Sequence, residues 1–245
     1  LSTPVLVVGY LASIFIPLAF LPQTIKIIKT RETKGISIPA YTIYFIGIIT
    51  FLTFAVFKTP KMDIPMIICQ TINGLFAITI LSLTIYNVVI MKKNKSSVSK
   101  IETLSKTFIL PIALLICCGL LIGIGFALKN GTLKTYNDVM GYSGAILISV
   151  AFLPQTYKLF KTKNTKGLSL ITTLVYHLGL TLFIIYASLS NPINYPLLLG
   201  NIFGWVVNFC LLFLICYNLY QNRDDNHKGN KNKQKVKNGA GNAAH

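Results

Sequence analysis

Phe20-Leu-Pro-Gln-Thr-Ile-Lys-Ile-Ile-Lys-Thr-Arg-Glu-Thr-Lys-Gly35 is a stretch that the chain uses twice, the second copy running from Phe152 to Gly167 with Phe152-Leu-Pro-Gln155 at its head. At a constant offset of 132, seventeen of the thirty positions from Gly9 to Ile38 are identical to those from Gly141 to Leu170. Identity of that extent at one offset reads as an internal duplication. In both copies the Pro-Gln pair closes an apolar run, and lysines, then Thr-Lys-Gly and Ser, follow it.

The solvent in which such a chain folds follows from composition. Of 245 residues, 53% are apolar and only 12% are charged, with a mean hydropathy of +0.63. One small core cannot hide that much apolar surface, so the bilayer is the expected environment. The net charge of +17 would suggest nucleic acid in a soluble protein. Here the lysines lie between apolar runs and in the C-terminal tail, where membrane topology accounts for them and no nucleic-acid partner is implied. Cys69, Cys117, Cys118, Cys210 and Cys216 all fall in apolar segments without a C-x-x-C spacing, which is the usual place of inert buried thiols and not of a metal site.

About 20 apolar residues cross a bilayer as a helix. Seven runs qualify, at roughly 4–28, 39–57, 64–91, 107–128, 137–160, 170–189 and 195–220. The duplication parses them as three, one and three: a first repeat over 4–91, a basic linker and linker helix over 92–128, a second repeat over 137–220, and a basic tail over 221–245 expected to be disordered. The first run lacks a basic n-region, is too long for a signal peptide and recurs in mid-chain, so it reads as a retained helix. Nineteen of the 23 Lys and Arg residues fall on one side of this topology and four on the other, which places the N-terminus outside and the C-terminus in the cytosol. The single fourth helix makes the two repeats parallel about an axis along the membrane normal. Its Gly119-x-x-x-Gly123 and Gly125 suit close helix packing.

Proline within a membrane helix deprives the carbonyl four residues earlier of its donor and pushes the helix into a bend. Pro22 and Pro154 are thus hinge candidates at matching depth, with Gln23 and Gln155 beside them able to bond freed backbone groups or a partner helix. Pro17 adds a second such site to the first helix, where the other copy has Ser149.

Phe20-Leu-Pro-Gln23 and Phe152-Leu-Pro-Gln155 resemble the signature of the PQ-loop/SWEET superfamily, and each half resembles one bacterial SemiSWEET subunit. The resemblance covers roughly residues 4–220. It implies an all-α membrane protein of seven transmembrane helices, a central cavity between the halves, and alternating access to a mono- or disaccharide without an energy source. It further implies residue roles. Phe51 and Phe183, four residues after Gly47 and Gly179, stand where the family stacks an aromatic on substrate. Asn201, five residues after Pro196, stands where it places a hydrogen-bonding Asn; in the first half that role falls to Gln70 by the Pro65 register or to Asn73 by an Asn-Gly match, and both remain open. Tyr186, with Phe54 as its counterpart, and Asp63, able to pair with Lys58, match outer-gate positions.

Three differences between the halves bear on function: Phe45 against His177, Phe54 against Tyr186, and Gln70 against Asn201. His177 is an ionisable residue well inside a helix and hence a candidate proton or substrate site, or equally a neutral ring bonding a carbonyl. Asn87, Asn208 and Trp205 read as packing residues. With no nucleophile, metal cluster or phosphate loop, the chain reads as a facilitative carrier of a small polar solute, not an enzyme, and needs no cofactor. The rivals are a proton-coupled amino-acid carrier of the PQ-loop branch using His177 or Asp138, and a receptor of the same fold. A plasma or cell membrane is the expected location, with an organellar one open, as is homo-oligomerisation.

Overall fold

A computed structural model describes residues 3–31, 33, 36–59, 61–93, 100–128, 130–162 and 170–241. The described chain is all helical: α1 (Thr3–Thr30), α2 (Ile38–Phe57), α3 (Ile64–Lys93), α4 (Lys100–Ala127), α5 (Asn130–Thr162), α6 (Leu170–Ser188) and α7 (Tyr195–Gly241). Helix is the form in which a strand of lipid-immersed backbone satisfies its own polar groups, which is why segments rich in β-branched Ile and Val still coil here. Among the described residues, six of these helices offer a stretch long and apolar enough to cross a membrane.

The helix starts follow local chemistry. Ser37 caps α2, its hydroxyl accepting from the Ala40 amide at 3.4 Å, with Pro39 in the first turn. Asp63 caps α3 through the Met66 amide at 3.3 Å, and Asn194 caps α7 through the Leu197 amide at 3.3 Å. These two caps occupy equivalent places in the repeats, and Pro65 and Pro196 follow each in the first turn. α1 ends at Arg31, which takes a left-handed conformation at φ 56.

Six helices form a ring in the order α1, α3, α2, α5, α7, α6 and back to α1. In each repeat the third helix therefore sits between the first two, and the repeats meet at two seams, α1 with α6 and α2 with α5. Both seams depend on a glycine. A Cβ on Gly47 of α2 would lie 2.7 Å from Ile148 Cγ1 and 2.9 Å from the Ile148 amide nitrogen; one on Gly179 of α6 would lie 2.6 Å from Ile16 Cγ1 and 3.0 Å from the Ile16 nitrogen. The duplicated Gly–Ile contacts let the backbones touch, which in lipid replaces the hydrophobic force as the source of helix association.

α4 packs on α3 and α2, with only a marginal contact to α5 that includes a hydrogen bond from the Tyr136 hydroxyl to the Leu121 carbonyl at 2.6 Å. Of its glycines, Gly125 lies against the Phe57 ring, while Gly119 and Gly123 have no neighbour within 4 Å. The apolar faces of α2 and α3 that α4 covers explain its placement, and the Gly-x-x-x-Gly pair is simply on its other face. α7 is described as helix as far as Gly241. Apolar periodicity ends near Tyr220, so this extension propagates from a nucleated helix without an apolar stripe of its own.

Gly47→Leu and Gly179→Leu are each expected to lower stability by about 1–3 kcal/mol through overpacking of a seam. Gly123→Leu, facing open space, should leave it unchanged. Thermal unfolding of the three variants in detergent checks this, and equal behaviour of all three would refute the role of the seams.

Candidate functional site

Where the seams diverge around the ring axis, the two repeats enclose a cavity of about 190 Å³. A single water requires only ~10–15 Å³ measured in this way, so the space accommodates a small solute with waters. Phe51 and Phe183 line it from α2 and α6, Gln70 and Asn73 from α3, and Asn201 from α7. The sequence left Gln70 and Asn73 as alternatives; the structure brings both to the cavity, because they lie three residues apart on one face of α3.

The amides are set in an unusual state. Gln70 and Asn73 are buried, yet Gln70 Oε1 and Asn73 Oδ1 have no hydrogen-bond partner. Asn73 Nδ2 donates to Cys69 Sγ at 3.5 Å. Asn201 is oriented by its own helix, Nδ2 donating to the Leu197 carbonyl at 2.7 Å. A buried acceptor without a donor costs about 1–3 kcal/mol, so these oxygens mark places where a donor from outside the chain is accommodated.

One end of the cavity is shut. Asp63, 2% exposed, sits near the ring axis and takes four bonds: Lys58 Nζ at 2.7 Å, the Tyr186 hydroxyl at 2.7 Å, Asn194 Nδ2 at 3.1 Å, and its capping bond from Met66. Phe54 and Tyr186 fill the turn beneath, and the glycines opposite make room for their rings. A Cβ on Gly141 would come within 2.8 Å of Phe54 and one on Gly9 within 2.8 Å of Tyr186. Asp63, Phe54 and Tyr186 thus come together as the resemblance implied. Asn194, which sequence reasoning missed, joins them; its equivalence to Asp63 in the repeat was the available signal.

Toward the other end the cavity narrows through four aromatics. Phe20 stacks on Tyr44 with centroids 5.8 Å apart and meets Tyr176 edge-on at 5.8 Å, while Tyr44 meets Phe152 at 5.1 Å. Phe20 with Phe152 and Tyr44 with Tyr176 are pairs at the repeat offset, a signal in the sequence that was not read. Beyond this collar the lining reaches exposed Gln23, whose Nε2 donates to the Tyr41 hydroxyl at 3.3 Å. Pro22 and Pro154 lie beside the collar, in helices that continue through them without interruption. Thr24 and Thr156 follow, each hydroxyl donating back to the carbonyl of Phe20 or Phe152 at 2.9 Å. The Gln155 side chain lies outside the described residues.

His177 does not line the cavity. Its ring packs on Trp205 at 4.7 Å, Trp205 stacks on Phe209 at 5.5 Å, and the indole Nε1 donates to Thr181 Oγ1 at 3.0 Å. Asn208, read as a packing residue, does both things: Nδ2 donates to the Thr173 carbonyl at 3.2 Å, and the residue lines the cavity. Asn87 ties the end of α3 to the turn after α1 through the Arg31 carbonyl and Thr33 Oγ1. Among the described residues no group of His, Cys, Asp or Glu is placed to hold a metal ion.

A ring of two three-helix repeats around a cavity sealed at one end defines a multi-pass membrane protein. Residues 5–62 and 136–194 each match the PQ loop repeat. The chain is 31% identical over 83 residues to the "Sugar transporter SemiSWEET" of Escherichia coli strain UMEA 3162-1, covering 34% of this chain and 90% of that one. It is 28% identical over 74 residues to the SemiSWEET of Leptospira biflexa, covering 30% and 82%. The fold is similar to that of a eukaryotic SWEET transporter, with a TM-score of 0.66 at 14% identity, over 87% of this chain and 95% of that one. The chain belongs to the PQ-loop/SWEET superfamily.

The Asp63 network is expected to control its end of the cavity. With the native cysteines replaced, Phe54→Cys should react with a membrane-impermeant maleimide several-fold faster once Asp63→Ala is added. An unchanged rate would mean that the network does not close this end.

Proposed function

We propose that the protein is a facilitative transporter of a small, uncharged, hydroxyl-rich solute, a mono- or disaccharide, which it passes across the membrane by alternating access. The observation that carries this reading is the chemistry of the cavity wall. Its described lining sets amides, hydroxyls and aromatic rings among aliphatic side chains and holds no Asp, Glu, Lys, Arg or His. Uncovered amide oxygens accept from sugar hydroxyls, and the phenyl faces of Phe51 and Phe183 suit the C–H faces of a pyranose. A zwitterion would find no opposite charge there. The sugar-transporter relatives support the same class of solute.

The N-terminus then lies outside, as the lysine distribution favours, and Asp63, Phe54 and Tyr186 form the outer gate. The collar and the Pro22-Gln23 and Pro154-Gln155 pairs form the inner gate and hinges. Each cycle exchanges closure at one end for closure at the other, with substrate affinity set by Asn201, Gln70 and Asn73 in between. Both halves of the pathway come from one chain, so a second copy is not needed to complete it. Placement of His177 against Trp205, away from the cavity, disfavours a proton-coupled amino-acid carrier. The cell membrane is the proposed location.

Counterflow in proteoliposomes with labelled glucose, maltose and lysine tests this. Sugar exchange that is indifferent to a pH gradient is expected, reduced about tenfold at subsaturating sugar by Asn201→Ala and unaltered by His177→Phe. Concentrative lysine flux driven by a pH gradient, with no sugar exchange, would overturn it.

A further inference from the structure

The polar wall of the cavity is not divided evenly between the repeats. Near Phe51 and Phe183 both contribute amides. Further toward the Gln23 end, Asn73 is the last α3 residue in the lining, whereas α7 continues through Val207, Asn208 and Leu211, faced by Thr172 and Thr173 of α6. The position equivalent to Asn208 in the first repeat is Ala77, buried with Tyr44, Phe45, Ile48 and Leu114 in a cluster that α4 helps to complete. No helix packs on the second repeat in the way that α4 packs on the first. Of the two third helices, only α7 therefore lines the inner half of the cavity.

Asn208 is 3% exposed and its Oδ1 has no hydrogen-bond partner, although its Nδ2 is held by the Thr173 carbonyl. This is a third orphaned amide oxygen in the same cavity, on the other repeat from the first two. Asn201 and Asn208 are seven residues apart on one face of α7, about 10 Å along the axis at 1.5 Å per residue. Gly200, next to Asn201, lies against the Phe51 ring, so a pyranose centred between Phe51 and Phe183 sits at the Asn201 level and stops short of Asn208, whereas a second linked ring extends to it.

We propose that the cavity has an inner subsite whose amide comes from the second repeat alone, in which Asn208 Oδ1 accepts a hydroxyl from the second ring of a disaccharide whose first ring lies between Phe51 and Phe183. The inference rests on the sugar reading above and adds a length to it. Asn208 is then a specificity residue that separates two-ring from one-ring solutes.

Labelled glucose and maltose, the same ring once and twice, are the probes for counterflow by the full chain in proteoliposomes. Asn208→Ala should raise the half-saturating concentration for maltose about tenfold and change that for glucose by less than twofold. Val207→Phe, which narrows the subsite while leaving the Asn208–Thr173 bond in place, should do the same, and retained glucose exchange shows that both variants are folded. Equal losses for the two sugars, or no loss for either, would overturn the subsite while leaving the carrier reading intact; so would glucose exchange without maltose exchange in the unmodified protein. Absence of exchange for both sugars in the unmodified protein would overturn the sugar reading and the subsite with it.

Discussion

Helices in lipid gain nothing by burying apolar side chains against one another, since the acyl chains are as apolar as the side chains are. What holds two repeats together must then come from close packing, and here it comes from Gly47 on Ile148 and Gly179 on Ile16. Each contact brings a helix backbone against a neighbouring one at the same depth in the repeat. Because there are two of them, on opposite sides of the axis, the halves are fastened along two lines with a cavity left between. Everything placed around that axis, the Asp63 cluster, the amides and the aromatic collar, depends on the geometry these two crossings impose.

Duplication supplies symmetry, and the working parts are where the symmetry has been relaxed. At the sealed end the two helix caps face each other as Asp63 and Asn194. Had both remained acidic, two carboxylates would meet near the axis with one forced to take up a proton. Asn194 instead donates to Asp63 at 3.1 Å while capping its own helix, and the single carboxylate is neutralised by Lys58, whose counterpart is Ser190. Tyr186 gives a hydroxyl to the same carboxylate where Phe54 gives only a ring. α4 extends the asymmetry by reinforcing the first repeat alone.

The fold was legible because its signals are redundant: seven apolar runs, a repeat at constant offset and lysines biased to one side all agree. Much of the site was legible as well, since Phe51, Phe183, Asn201, Gln70 and Asn73 all reach the cavity. What could not be read was rotation about the helix axis. An Asn in an apolar helix has the same local sequence whether it faces a neighbour or a cavity, which is why Asn208 was taken for packing and His177 left open. The collar was missed for a related reason. Phe and Tyr in a membrane helix are ordinary, and only their pairing across the repeat offset separates Phe20, Tyr44, Phe152 and Tyr176 from the aromatics that face lipid.

A carrier that equilibrates its solute without an energy source requires two closed ends of similar strength, since a large imbalance would leave one state unpopulated. The two ends are built from different materials. One uses a buried ion pair and neutral hydrogen bonds on Asp63, whose net worth is small because each charge has given up its water to form it. The other uses aromatic contacts, each worth about 0.5–1.5 kcal/mol beyond the area it buries. The three measured contacts among Phe20, Tyr44, Phe152 and Tyr176 sum to a few kcal/mol. A polar lock and an apolar one can thus be balanced, and they differ in how they respond to a solute. On the proposed reading the aromatic collar meets a sugar ring through its faces, whereas the Asp63 cluster meets water through its charges.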